Sequence, residues 1–187
     1  LQYHSFCHPN FSEKPTKYHI MPSTFEAHVE EISVNNNATI TFDDGSKSFY
    51  EVAFPILKKY NLSAIVFIDT DGIGKKRMNP DQLKEISEYG IEVQSHSHSH
   101  SNHFRLSESQ IAYEGSKSKD IIYNITGKEV NKYAFPHSPY SLRMCEILNN
   151  LGYKSFFTSD YGTKLKNIII VFHKELIYIK IKISNTF

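Results

Sequence analysis

Apolar residues recur along this chain with two periods that take turns. From Ser48 to Tyr60 they fall at helical spacing, at Phe49, Val52, Ala53, Ile56, Leu57 and Tyr60, with Pro55 inside the run as a kink or a late start. Ala64 to Ile68 is a short continuous apolar stretch, which suits a buried parallel strand. Pro80 to Tyr89 returns to helical spacing, with Asn79 as its N-cap and Gly90 as its stop. The pattern continues as a strand over Ile91 to Gln94, a long helix over Ser107 to Ile125, a strand over Lys132 to Phe135, a helix over Ser141 to Leu151 and a strand over Tyr153 to Thr158.

Upstream, residues 1–22 read as a short strand followed by a loop. Ser23 is placed to cap a helix over Thr24 to Ile32, with Glu26 at the reciprocal position of a capping box. The Asn35-Asn36-Asn37 turn then leads into a strand over Ala38 to Phe42. In the tail, Asn167 to Phe172 is strongly apolar. Ile177 to Ile183 alternates Ile and Tyr with Lys180 and Lys182, as an edge strand protected by lysines would. Strands alternating with helices imply βαβ units, a largely parallel sheet and the α/β class, wound by right-handed crossovers into a barrel or a doubly wound sheet.

Composition narrows the reading. At 187 residues the chain is long enough for one domain with a real core and too short for two ordinary ones. Its 21 basic and 20 acidic residues leave a net charge of +1, too small a field to recruit nucleic acid or an anionic membrane. No apolar span reaches 18 residues, so no transmembrane segment is expected. Cys7 and Cys145 are the only cysteines and form no disulfide framework; spacing alone leaves open whether they pair.

The candidate chemistry lies at three strand ends: Thr41-Phe42-Asp43-Asp44-Gly45, Ser95-His96-Ser97-His98-Ser99-His100 and Tyr133-Ala134-Phe135-Pro136-His137. In parallel α/β folds, sites assemble at the C-terminal ends of strands. Two adjacent carboxylates allow one to bind a cation while the other handles protons, although Asp-Asp-Gly is also a common turn. His96 and His100, at i and i+4, can share a metal on one face of a helical turn, and the serines among them can hydrogen-bond the second ring nitrogens. The same stretch also reads as a solvated His-rich loop, of which His98 and His103 are the members least suited to a metal. Imidazole with carboxylate suits zinc, and also nickel, cobalt or iron. Together the three stretches point to metal-assisted hydrolysis.

In order and spacing these words resemble the first three motifs of the polysaccharide deacetylases, the carbohydrate esterase family 4 enzymes. So do the flanking words Ala53-Phe54-Pro55-Ile56-Leu57, Gly90-Ile91-Glu92-Val93 and Ile125-Thr126-Gly127-Lys128. The resemblance implies a distorted and incomplete (β/α) barrel. It covers residues 38–160 well; residues 1–187 are read as a single domain, with that core, an N-terminal strand and helix at 1–37 and a divergent tail at 161–187. It implies Asp43 as the catalytic base and Asp44, His96 and His100 as the ligands of a divalent metal, zinc foremost. The third motif of the family carries an Arg that orients the base; Ala134-Phe135-Pro136 lacks it, which makes the chain more similar to the poly-N-acetylglucosamine deacetylase branch. There the general acid comes from an N-terminal Tyr-His strand, and Tyr3-His4 fits, with Phe25 to Ile32 as the helix that follows. His173 competes for this role, although Lys174 stands where the family has Asp. Phe135, Pro136 and Tyr140 are candidates for the substrate pocket.

The expected activity is removal of N-acetyl groups from a surface or cell-wall polysaccharide of N-acetylglucosamine, carried out outside the cytoplasm or at the cell surface. The alternatives are an O-acetyl esterase acting on a xylan-like glycan and a catalytically inactive glycan-binding relative.

Overall fold

The structure is a computed structural model that describes residues 1–7, 18–35, 38–158, 168–173 and 176–181, the last two segments by their backbone alone. The chain divides into two compact units, residues 1–68 with 72–93, and residues 69–71 with 94–187.

In the first unit, β1 (Gln2–Tyr3), β4 (Thr41–Phe42) and β5 (Ile65–Ile68) are parallel neighbours. Gln2 and Tyr3 register with Thr41 and Phe42, which register in turn with Ile65 and Val66. β2 (Ser5–Phe6) and β3 (His19–Ile20) make a separate parallel ladder. Every residue of β5 is buried, which is why that stretch reads as a continuous apolar run instead of an alternating one. The helix α1 (Pro22–Asn35) turns Phe25, Val29 and Ile32 inward. Phe25 meets Tyr3 and Phe6 edge to face, each at 5.1 Å between ring centroids, and Phe42 at 5.5 Å.

The expected cap at Ser23 is corrected. The helix begins at Pro22, where a missing N–H costs nothing, so Ser23 lies within the first turn. Glu26 is drawn instead into an ion pair with Lys59 at 2.7 Å. The expected strand over Ala38 to Phe42 shortens to β4.

The run around Pro55 resolves into a π-helical turn over Phe49–Ala53 followed by α2 (Phe54–Lys59). Phe54 N–H reaches back to the Phe49 carbonyl. An uninterrupted α-helix would set the proline ring against the carbonyl four residues earlier, and the wider turn relieves that clash. The helix α3 (Pro80–Tyr89) occupies its expected span. Asn79 and Gln82 complete a reciprocal capping box, and Gly90 ends the helix. The chain then enters β6 (Glu92–Ser95), whose Glu92 N–H donates to the Ala64 carbonyl at 2.9 Å.

In the second unit, Ser95 registers with Tyr133 of β7 (Lys132–Ala134), and β7 runs parallel to β8 (Ser155–Phe157). β9 (Ile168–His173) pairs antiparallel with β8 and β10 (Leu176–Ile181) antiparallel with β9, so the described parts of the two tail stretches are strands, with β10 last in the order. The side chains of His173, Lys180 and Lys182 lie outside the described residues. The helices α4 (Glu108–Thr126) and α5 (Leu142–Asn150) are capped by Ser107 and Ser141. They approach closely at Gly115, where a Cβ would stand 2.5 Å from Leu148 Cδ2. Cys7 and Cys145 are free thiols, and burial pushes the Cys145 thiol up to about 12, which leaves it unreactive. Among the described residues, no helix is long and apolar enough to cross a membrane.

Candidate active site

In the first unit the candidate carboxylates stand where β4 ends. On a continuing strand Asp43 and Asp44 would point to opposite faces. The backbone prevents this, because Asp44 and Gly45 both adopt left-handed φ, at 70° and 69°. Asp tolerates that conformation better than most residues. At Gly45 the position is closed to any side chain, since a Cβ would lie 2.7 Å from Ile68 Cδ1. The sharp turn takes Asp44 out of the alternation of the strand.

Asp43 is 3% exposed, and its N–H donates to the Tyr3 carbonyl at 2.9 Å. Its Oδ2 accepts a hydrogen bond from Gln2 Nε2 and lies 3.9 Å from His4 Nε2. The His4 ring is itself 5.0 Å from the Tyr18 ring. Asp44 is half-buried, with Arg77 Nη2 at 3.6 Å from its Oδ1. The Arg77 segment is held by a bridge to Ser46 and by the Arg77 N–H donating to the Gly72 carbonyl at 3.0 Å. Sequence reasoning missed Arg77: it sits in the Lys75-Lys76-Arg77 run, and nothing local in that run points to an acidic partner.

In the second unit the loop after β6 carries the histidines. Ser97 and His100 take left-handed φ of 67° and 57°, so the segment is a tight, irregular turn and not a helical one. Two anchors hold it. The His100 N–H donates to Ser97 Oγ at 3.0 Å. The buried Glu114 of α4 accepts from the His98 N–H at 2.9 Å, the Ser99 N–H at 2.7 Å and the Ser99 hydroxyl at 2.7 Å.

His96 is buried, and its Nδ1 stands 2.9 Å from the Ala134 carbonyl. A carbonyl only accepts, so Nδ1 carries the proton and Nε2 keeps the lone pair for coordination. The His96 and His100 ring centroids are 5.0 Å apart. His98 is turned to other work, its Nδ1 bonded to Thr70 Oγ1 at 2.8 Å. Both His103 nitrogens are engaged, Nδ1 with the Ser101 carbonyl at 2.9 Å and Nε2 with the Tyr133 hydroxyl at 2.7 Å, and burial lowers its pKa. Among the histidines of this loop, His96 and His100 are therefore the ones suited to a divalent cation.

His137 follows β7. Its ring stands 4.7 Å from that of His100, and it shares left-handed backbone with Ser138, at φ 60° and 65°. Both line a cleft of about 400 Å³ with Phe104, Pro139 and Tyr140. Of the three pocket candidates, Tyr140 is at this cleft. Pro136 is buried, and Phe135, 1% exposed, packs 5.9 Å from Phe156 and 5.3 Å from Tyr133. Phe104, 66% exposed, lines this cleft without having stood out in the sequence, because a lone Phe in a polar stretch carries no pattern.

Glu114 yields a prediction. Glu114→Ala removes the acceptor for three donors of the His loop; if that loop holds zinc, as the sequence leads one to expect, the affinity should fall by about 10–100-fold, as with loss of an outer support to a metal site. Calorimetric zinc titration checks this, and unchanged affinity would remove Glu114 from that role.

Comparison with known proteins identifies the family of the chain. The profile of the polysaccharide deacetylase family matches residues 33–156. YxkH of Bacillus subtilis (strain 168), provisionally named a polysaccharide deacetylase, is 28% identical over 185 residues, covering 87% of this chain and 64% of YxkH. The poly-β-1,6-N-acetyl-D-glucosamine N-deacetylase of Staphylococcus aureus is 29% identical over 136 residues, covering 65% of this chain and 47% of that protein. The chain thus spans less than two thirds of the length of these curated relatives. Among solved structures, the Streptococcus pyogenes deacetylase PplD in complex with acetate matches with a TM-score of 0.78 at 23% identity, over 91% of this chain and 84% of that one. At that identity the likeness speaks to the fold, and the fold is the one expected from the sequence, an α/β chain of the polysaccharide deacetylase type.

Proposed function

Starting from a chain that belongs to the polysaccharide deacetylase family, we propose a metal-dependent hydrolase that removes N-acetyl groups from a polysaccharide of N-acetylglucosamine. Residues 1–187 would act as one catalytic domain, outside the cytoplasm or at the cell surface, because a polysaccharide does not cross a membrane freely. Asp44, His96 and His100 would hold one divalent cation, zinc foremost. When bound, such a cation supplies Lewis acidity to an acyl oxygen and makes water more acidic. Asp43 takes the proton of the attacking water on its carboxylate. His4 gives a proton to the departing nitrogen, which would otherwise leave as a strongly basic amide anion.

The observation that carries this reading is the approach of His4 to Asp43, Nε2 to Oδ2 at 3.9 Å. The chain leaving β1 brings an imidazole, a group able to donate a proton, to the carboxylate read as the base. An amide needs such a donor far more than an ester does, because an alkoxide leaves more readily than an amide anion. The Staphylococcus aureus relative, named for N-deacetylation of poly-β-1,6-N-acetyl-D-glucosamine, supports the choice of substrate.

The test is acetate release by zinc-loaded protein from N-acetylglucosamine oligomers and, in parallel, from acetylated xylan. Release from the oligomers is expected. Release from xylan alone would favour an O-acetyl esterase, and metal binding without release from either would favour an inactive glycan-binding relative. A second expected outcome concerns His4. His4→Ala should reduce amide hydrolysis by roughly 10²–10⁴-fold, the usual worth of a general acid. It should spare an activated ester, whose leaving group needs little protonation. Equal loss on both substrates would take His4 out of the acid role.

A further inference from the structure

The N-terminal strand does more than bring His4. β1 pairs in parallel with β4 in a register that sets Gln2 opposite Thr41 and Tyr3 opposite Phe42. The Asp43 N–H continues this pairing through its bond to the Tyr3 carbonyl. Side chains two apart on a strand share a face, so Gln2 and His4 stand together while Tyr3 turns the other way. Tyr3 is 8% exposed, its ring packed on Phe25 and its hydroxyl 2.9 Å from His28 Nδ1. Tyr3 thereby fixes the strand in the core, and Gln2 and His4 are left on the face that meets Asp43. Both reach the same oxygen: Gln2 Nε2 donates to Oδ2, and His4 Nε2 lies 3.9 Å from it.

The last torsion of an Asp side chain is broad and roughly two-fold, so packing alone does not fix which oxygen faces which way. A buried carboxylate that must take a proton from one direction needs that choice made in advance. We infer that Gln2 is the positioning residue of Asp43, its amide holding Oδ2 on the side of β1 so that the carboxylate keeps one orientation during turnover. The inference rests on the reading of Asp43 as the base. A neutral amide suits this task, since it donates a hydrogen bond without adding a charge beside the carboxylate.

The test uses Gln2→Met, which keeps the length of the side chain and removes the donor, and Gln2→Lys, which restores a donor. Each is made in the wild-type protein and in Asp43→Asn. Measurements are kcat and KM on N-acetylglucosamine oligomers, zinc affinity by calorimetry, and Tm. For Gln2→Met, kcat is expected to fall about 10-fold, the effect of a lost orienting contact, with KM, zinc affinity and Tm unchanged. Gln2→Lys should recover part of the loss. In Asp43→Asn, Gln2→Met should add nothing, because the group it positions has gone. Full turnover in Gln2→Met, an equal further loss in the Asp43→Asn background, or a fall in Tm that accounts for the loss would each overturn the inference while Asp43 stands as the base. Undiminished turnover in Asp43→Asn would overturn the base reading, and the role of Gln2 with it.

Discussion

His100→Ala is expected to bind zinc much more weakly than the wild type and to lose essentially all acetate release at limiting metal, and a chelator should do the same to the unaltered protein. Three donors are proposed for the cation, and removing one leaves a pair. The Lewis-acid contribution at stake is worth several kcal/mol, and each ~1.4 kcal/mol is tenfold in rate, so a loss of roughly 10³-fold or more is expected. His100 is the better first choice because it is half-buried, so its removal is tolerated more easily by the fold. His96→Ala is the companion variant. Its imidazole is 3% exposed and bonded to the Ala134 carbonyl, so it tests the same ligand set at a greater cost in stability. His98→Ala is the internal control, since its Nδ1 is committed to Thr70. The outcome that would sink the assignment is a His98 variant that loses zinc while the His100 variant keeps it.

The second large effect is expected at Asp43. Asp43→Asn preserves the shape of the side chain and leaves Asp44, His96 and His100 in place, so zinc affinity should stay close to that of the wild type. The amide oxygen cannot accept the proton of the attacking water, and loss of a general base costs ~10²–10⁴-fold. The expected result is therefore a metal-loaded protein with little turnover, read by calorimetry and acetate assay on one preparation. A variant that turns over at the wild-type rate with zinc bound would remove Asp43 from that role. The split between binding and turnover separates Asp43 from Asp44, for which both should fall together.

Much of the fold could be read from the sequence because its signals are local. α3 shows this best: Asn79, Pro80 and Gln82 sit within four residues, and their capping box forms as their spacing requires. Ser107 and Gln110 do the same for α4. Local signals failed where a distant partner decided the outcome. Glu26 had the right spacing from Ser23 for a capping box, but Lys59, 33 residues away, holds it. Pro55 announced an irregularity, yet its local sequence left open whether the chain would kink, restart or widen; the structure has a π-turn with Phe49, Val52 and Phe54 buried.

The candidate site divides in the same way. Asp43, Asp44, His96 and His100 stand out as candidates because they form short words at strand ends. The groups around them do not: Gln2 reaches Asp43 across 41 residues and Glu114 reaches His98 across 16, and neither stands out in its own segment. Arg77 near Asp44 is likewise brought in by a bridge between chain segments. The motifs name the candidate residues, and tertiary pairing chooses what surrounds them.

The most direct measurement is acetate released from N-acetylglucosamine oligomers as metal-free protein is titrated with zinc. The account predicts no release without metal, and release that rises in proportion to zinc until about one equivalent per chain is bound, in keeping with a single site of three protein ligands. Undiminished release from metal-free protein, or none from protein shown to hold its equivalent of zinc, would contradict it.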